Sequence, residues 1–165
     1  MTFKKTFSKR IVIAFAVISF VLTSCHVMFI GAYDAVTDSG IQKIQTDVTT
    51  LIIAMEKNVT DGNFSANNYD SLKNTFTIIE GEIKSLQIRA AALPKYSIIL
   101  GQLTTVANTV SNLESLSKTP IKNIGILQTV QSTFDIQFQQ MATLQNALKL
   151  QNINTKQNNS ATPSN

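Results

Sequence analysis

The chain has 165 residues, a length that suits one domain with a modest core. It is 44% hydrophobic, with no Trp, three Pro and six Gly, a composition that favours helices over turn-rich β structure. The net charge of +4 does not indicate a nucleic-acid binder, because four of the fourteen basic residues lie within residues 1–10 and the other ten balance ten acidic residues.

The first 25 residues have the three-part pattern of an export signal. Residues 1–10 are basic, residues 11–22 (IVIAFAVISFVL) are almost wholly apolar, and small polar residues follow. The apolar run ends at Leu22-Thr23-Ser24-Cys25. At this point the chain resembles bacterial lipoproteins, whose lipobox has Leu, a small or hydroxylated residue, then Gly, Ala or Ser, and then Cys.

The lipoprotein resemblance implies a lipid anchor on the single cysteine. Cys25 would receive a diacylglyceryl group, the leader 1–24 would be cleaved, and the new amino terminus would be acylated by a fatty acid such as palmitate. One acyl chain anchors a protein only marginally, whereas two or three hold it at the membrane. Residues 25–32 would then be a lipidated linker. His26 stands where Asp would favour inner-membrane retention in a Gram-negative cell, so the sequence favours the outer membrane, facing the periplasm or the surface.

Two other interpretations of this region remain open at this stage. Residues 11–32 are long enough to form one uncleaved membrane-spanning helix, since the apolar run resumes at residues 27–30. The basic residues 1–10 would then give the same outward orientation. In the second interpretation, Cys25 is an unmodified thiol buried in such a helix. A lone cysteine cannot form an internal disulfide.

Residues 33–150 show a helical period throughout. Apolar residues recur at steps of three and four in four successive segments, each giving one apolar stripe on a polar helix. The stripes are Ile41, Ile44, Val48, Leu51 and Met55; then Tyr69, Leu72, Phe76, Ile79, Ile83, Leu86, Ala90 and Leu93; then Ile99, Leu103, Val106, Val110 and Leu113; and then Leu127, Val130, Phe134, Phe138, Met141, Leu144 and Leu148.

Short links between the segments predict an all-α fold, an up-down-up-down antiparallel four-helix bundle behind an N-terminal signal or anchor helix. Turn residues 60–63, Pro94 and residues 117–120 separate the segments. Residues 151–165 have little apolar content, which predicts a disordered polar tail.

Local chemistry predicts where the helices begin. Asp34 or Asp38 could cap the first helix, Ser97 the third, and Thr119 the fourth, with Pro120 at its first position. Gly81, Gly101 and Gly125 fall inside periodic segments, which indicates a close helix approach or a local kink.

The inventory of catalytic residues predicts that the protein is not an enzyme and holds no metal or cofactor. The one His adjoins Cys25, so histidine triads and zinc sites are excluded on supply. Asp34 and Asp38 are interpreted as helix-cap residues, while Glu80 and Glu82 point about 200° apart around a helix.

Two weaker functional signals remain. Arg89 lies in an apolar stretch, either as a snorkelling or ion-paired arginine or as a contact for a partner protein. Phe134 and Phe138 could line a cavity for a small apolar ligand, although ordinary core packing is the simpler interpretation.

The mature part is also similar to a group of small helical bacterial envelope proteins to which no activity is attached. The resemblance lies in Tyr33-Asp34-Ala35-Val36-Thr37-Asp38 and in Ser85-Leu86-Gln87-Ile88-Arg89-Ala90-Ala91-Ala92-Leu93-Pro94. The leucine and serine rhythm of residues 103–116 and the pattern of residues 134–148 add to it. The sequence therefore predicts a membrane-anchored lipoprotein that serves as a structural or protein-interaction module, with another envelope protein as its partner.

Overall fold

A computed structural model of the protein describes residues 31–160, with the side chains described through residue 157. The described part contains four long helices: α1 (Ala35–Thr60), α2 (Tyr69–Ala92), α3 (Ser97–Leu116) and α4 (Ile124–Ser160). A short 3₁₀ helix, Phe64–Asn67, lies between α1 and α2. The predicted leader 1–24, the predicted lipobox and residues 161–165 lie outside the described residues.

The four helices form the predicted all-α bundle. Helix α1 packs against α2 and α4, and α3 packs against the same two helices, so the four make a closed square in cross-section. Successive helices are joined by short connections and run antiparallel. The start of α1, the α2–α3 loop and the end of α4 therefore share one end of the bundle.

The predicted apolar stripes form the core. The stripe residues of α1 and α3 are all buried, and those of α2 and α4 are buried or half-buried. Phe134 and Phe138 stack with their ring centroids 6.1 Å apart, and each is 2% exposed. Both rings therefore pack in the core, the simpler of the two interpretations that the sequence allowed. Because 3.6 residues make one turn, steps of three and four keep each stripe on the inward face.

The sequence predicted a cap for three of the four helices, and the structure confirms one of them and shows two to be wrong. Asp34 caps α1, accepting a hydrogen bond from the Thr37 backbone N at 3.0 Å. Ser97 was expected to cap α3, but Tyr96 stands before the helix and makes no side-chain cap bond. The predicted cap at Thr119 and Pro120 is also wrong, because α4 begins at Ile124.

The late start of α4 has a tertiary cause. Ile121 buries its side chain in the core, and its carbonyl accepts a 3.4 Å hydrogen bond from the Asn67 side chain. The Gly125 backbone N donates instead to Asn123 Oδ1 at 2.8 Å, the type of bond that opens a helix. Residues 117–123 therefore form a connection tied to the 3₁₀ helix rather than a first helical turn.

Helix α4 extends beyond the boundary expected at residue 150. The structure places residues 151–160 in the same helix, where the sequence predicted a disordered tail. No Gly or Pro occurs between residues 126 and 162, so no residue in that stretch forces the helix to end.

The glycines that were expected at close helix contacts are not the ones that make them. A Cβ at Gly81 or Gly101 would have no atom within 4 Å, and one at Gly125 would meet only Asn123 Oδ1. The close approach lies at Gly40 of α1, where a Cβ would stand 2.7 Å from Leu86 Cδ2 of α2.

This difference predicts opposite outcomes for two Gly→Ala changes in helix interiors. Gly101→Ala should raise the free energy of unfolding by about 0.5–1 kcal/mol, because alanine favours the helix and meets no neighbour. Gly40→Ala should give no such gain, because Leu86 has to move. Urea denaturation of the chain from Gly31 onward measures both, and an equal gain at the two positions would contradict the close contact at Gly40.

Asn67 ties three segments together at the other end of the bundle. It is fully buried, and its Nδ2 donates to the Met55 carbonyl at 2.8 Å. Its Oδ1 accepts from Asn58 Nδ2 at 2.9 Å. Since Nδ2 also donates to Ile121 O, one amide joins α1, the 3₁₀ helix and the α3–α4 connection.

We expect Asn67→Ala to lower the free energy of unfolding by about 2 kcal/mol, because it leaves buried carbonyls without donors. Asn74→Ala, at an exposed position of α2, is the matched control and should change stability by less than about 0.5 kcal/mol. A loss at Asn67 no larger than the loss at Asn74 would show that the buried amide does not hold these segments.

Candidate functional site: the N-terminal pole of the bundle

The first described residues of the chain, from Gly31 onward, lie at one end of the bundle, which we call the N-terminal pole. It consists of residues 31–38, 88–98 and 148–160, that is, the start of α1, the α2–α3 loop with its flanks, and the end of α4. Cys25 and the predicted cleavage motif lie outside the described residues, so the candidate site is the described surface nearest to them in sequence.

An ion pair between Asp34 and Arg89 fastens the start of α1 to the end of α2. Arg89 Nε lies 2.6 Å from Asp34 Oδ2, and Arg89 Nη2 lies 2.7 Å from Asp34 Oδ1. The parallel, two-bond geometry is the strongest that an arginine and a carboxylate form. The Asp34 side chain is 19% exposed and that of Arg89 is 39% exposed, so water reaches the pair only in part.

The same carboxylate also caps the helix. Besides the Thr37 backbone N, the Thr37 hydroxyl donates to Asp34 Oδ2 at 2.6 Å. The Arg89 guanidinium is the main reason that the pKa of Asp34 lies well below its usual range, and the bonds from Thr37 lower that pKa further. Four donors on one carboxylate keep Asp34 ionised and fixed in position.

The segment before α1 is held by close contacts with the α2–α3 loop. The Gly31 backbone N donates to the Lys95 carbonyl at 3.1 Å, and the Tyr96 hydroxyl donates to the Ala32 carbonyl at 2.6 Å. A Cβ on Gly31 would overlap the Tyr96 ring and would also stand 2.8 Å from the Pro94 carbonyl oxygen, so only glycine fits there. Lys95 adopts a left-handed backbone conformation with φ of 64°, which a non-glycine residue rarely does.

Tyr33 extends the contacts to α4. Its hydroxyl donates to Asp38 Oδ2 at 2.8 Å, and this bond raises the tyrosine pKa. Lys149 Nζ lies 5.9 Å from the centre of the Tyr33 ring, within the range of a cation–π contact. Residues 31–34 therefore contact the end of α2, the α2–α3 loop and α4.

The structure brings together two residues that the sequence had singled out separately. Arg89 is an interhelical ion-paired arginine, one of the interpretations the sequence allowed, and its contact with a partner protein stays a prediction. Asp34 and Asp38 do not share a site, since Asp38 accepts from Tyr33 and Gln42. Tyr96 and Gly31 were not singled out, because their contacts depend on tertiary packing and on no sequence period.

Glu80 and Glu82 are close in sequence but have different neighbours in the structure. Glu82 accepts a hydrogen bond from Lys43 Nζ of α1. Glu80 faces Glu114 of α3, and partial burial, followed by the charge of Glu114, raises the Glu80 pKa. Within residues 31–160 no group of three or more His, Cys, Asp and Glu side chains could hold a metal ion.

Among the described helices, none is both long and apolar enough to cross a bilayer. Comparison of the chain with protein-family models, with curated proteins and with solved structures gave no match.

The pole predicts a graded response to changes at Asp34. Asp34→Ala removes both the helix cap and the ion pair, and should lower the free energy of unfolding by about 2–3 kcal/mol. Asp34→Asn keeps a side-chain oxygen for the cap and should lose about 1 kcal/mol less. Asp70→Ala, at an exposed first-turn position of α2, is the control and should cost less than about 1 kcal/mol.

The depressed pKa of Asp34 also fixes the sign of a pH effect. The stability that its charge contributes is complete above the unfolded-state pKa of about 3.9 and is lost as the pH falls below that value. The stability difference between the wild type and Asp34→Asn should therefore be constant from pH 7 to pH 5 and should shrink below about pH 4. Urea titrations across this range measure the difference. A difference that grows on acidification would contradict the ion pair.

Proposed function

We propose that the protein is a lipoprotein of the bacterial cell envelope, anchored through Cys25, whose helical bundle serves as a structural or protein-interaction module. The observation that carries the proposal is Leu22-Thr23-Ser24-Cys25 at the end of an apolar run that follows a basic stretch. A four-residue match alone has low specificity, and its position after the basic and apolar segments raises that specificity.

The structure of residues 31–160 supports a body that works outside the lipid. Its buried apolar side chains, from Ile41 to Leu148, form one core inside the bundle. Gly31, six residues after Cys25, is held on this body by its contacts with Lys95 and Tyr96. A firm attachment of this kind suits a domain that is carried at a membrane by a short tether.

The close packing of the core favours an interaction module and argues against a carrier of a small apolar ligand. Phe76, Phe134 and Met141 lie at the centre of the bundle and are at most 2% exposed. Side chains packed in this way occupy the volume that such a ligand would need. Native mass spectrometry of the mature protein distinguishes the two, since a bound lipid or cofactor at one copy per chain would favour the carrier.

Labelling with radioactive palmitate in a bacterial host that processes lipoproteins tests the anchor. The wild type should incorporate label, and Cys25→Ser should lose it, because the acceptor thiol is gone. Ser24→Ala is the matched control, since it keeps a small residue before the cysteine and should still be labelled.

Intact mass provides a second readout. The mature wild-type chain should begin at Cys25 and carry added acyl mass. A chain that begins at Met1 with no acyl group, or equal labelling of the wild type and Cys25→Ser, would overturn the proposal. The chain would then be a single-pass protein with a membrane helix over residues 11–32.

A further inference from the structure

The end of α4 projects from the bundle at the N-terminal pole. Leu148 is the last residue of α4 in the core, and the helix continues through Ser160. These twelve further residues correspond to about 18 Å at 1.5 Å per residue. One side of the projection still contacts the body, since Gln151 and Thr155 line a cleft of about 110 Å³ with Tyr33.

The opposite side of the projection carries two exposed apolar side chains. Leu150 is 63% exposed and Ile153 is 47% exposed. Residues three apart lie on the same face of a helix, so these two side chains form one continuous apolar surface. Lys149 and Lys156 are seven residues apart and lie about 40° and 60° from Ile153 around the helix, so they border this surface on one side.

The N-terminal pole is also more basic than the other end of the bundle. It contains four basic and two acidic residues. Both acidic side chains accept hydrogen bonds within the chain, Asp34 from Arg89 and Asp38 from Tyr33. The opposite end, residues 56–70 and 114–124, contains three basic and four acidic residues. Anionic lipid headgroups would therefore attract the N-terminal pole and not the distal one.

From this arrangement we propose that the end of α4, residues 149–160, lies against the membrane surface. Leu150 and Ile153 enter the boundary between headgroups and acyl chains, while Lys149 and Lys156 contact anionic phospholipid headgroups. An apolar face bordered by lysines is the pattern of helices that bind at this boundary. The proposal rests on the lipid anchor at Cys25.

The length of the tether agrees with this placement. The six residues from Cys25 to Ile30 span at most about 20 Å when fully extended. The bundle therefore cannot move far from the lipid, and the projection of about 18 Å is long enough to reach the surface within that range.

A fluorescent probe at two matched positions tests the contact in the full, lipidated protein. The thiol of a lipidated Cys25 is blocked, so an introduced cysteine is the one free thiol. Ile153→Cys labels the projection, and Leu116→Cys labels the distal pole; the native side chains at both positions are 47% exposed. Each variant carries an environment-sensitive maleimide dye and is reconstituted into vesicles of phosphatidylglycerol and phosphatidylethanolamine that contain a lipid-attached quencher.

We expect quenching at residue 153 to exceed that at residue 116 by about twofold or more, because one probe lies in the boundary and the other points away from it. Adding Lys149→Gln and Lys156→Gln to the Ile153→Cys variant should reduce the quenching in these vesicles. In vesicles of phosphatidylcholine alone, the same two changes should have no effect, because no anionic headgroup is present.

Three outcomes would overturn the inference. Equal quenching at the two positions, in a protein that floats with the vesicles and has no free wild-type thiol, would exclude the contact while leaving the anchor intact. A probe at residue 153 that becomes shielded only when envelope proteins are added would assign this face to a protein partner. A wild type that reacts with the maleimide at Cys25 and does not float would remove the anchor, and with it the inference.

Discussion

The Asp34–Arg89 ion pair joins residues 55 positions apart and organises the N-terminal pole. One carboxylate caps α1 through Thr37 and binds the guanidinium at the end of α2. Without Arg89, this half-buried carboxylate would lose its strongest partner and the angle between the two helices would be less restrained. Gly31, Ala32 and Tyr33 then lie between the α2–α3 loop and α4, so the ion pair and the bonds from Tyr96 and to Lys95 together fix the path of this segment.

The helix interiors could be predicted from the sequence because burial there follows a local period. Ile44, Val106 and Phe134 are buried for a reason visible within a few residues on either side. The helix ends could be predicted only where the cap chemistry is local, as at Asp34. The start of α4 depends on Ile121 entering the core and on Asn67, 54 residues earlier, and no local rule contains that bond.

Individual residues of the candidate site could be predicted from the sequence, but the contacts between them could not. Arg89 and Asp34 attracted notice separately, one as an arginine among apolar residues and one as a cap, and only the fold pairs them. Residues 33–38 and 85–94, on which the expected resemblance to envelope proteins was based, meet at this ion pair. Close packing at Gly31 and Gly40 could not be predicted, because a glycine in a sequence does not indicate which side chain approaches it.

The antiparallel order of the four helices also acts as a spacer. Because the chain starts α1 and finishes α4 at the same pole, the 3₁₀ helix and the α3–α4 connection lie at the far end, beyond the 26 residues of α1 or about 39 Å. If the proposed anchor at Cys25 holds the bundle upright, that far end is held at a set height above the bilayer. Seven more residues in every helix would move the far end outward by about 10 Å without altering either end of the bundle. The length of the bundle and the chemistry of its N-terminal pole can therefore vary independently.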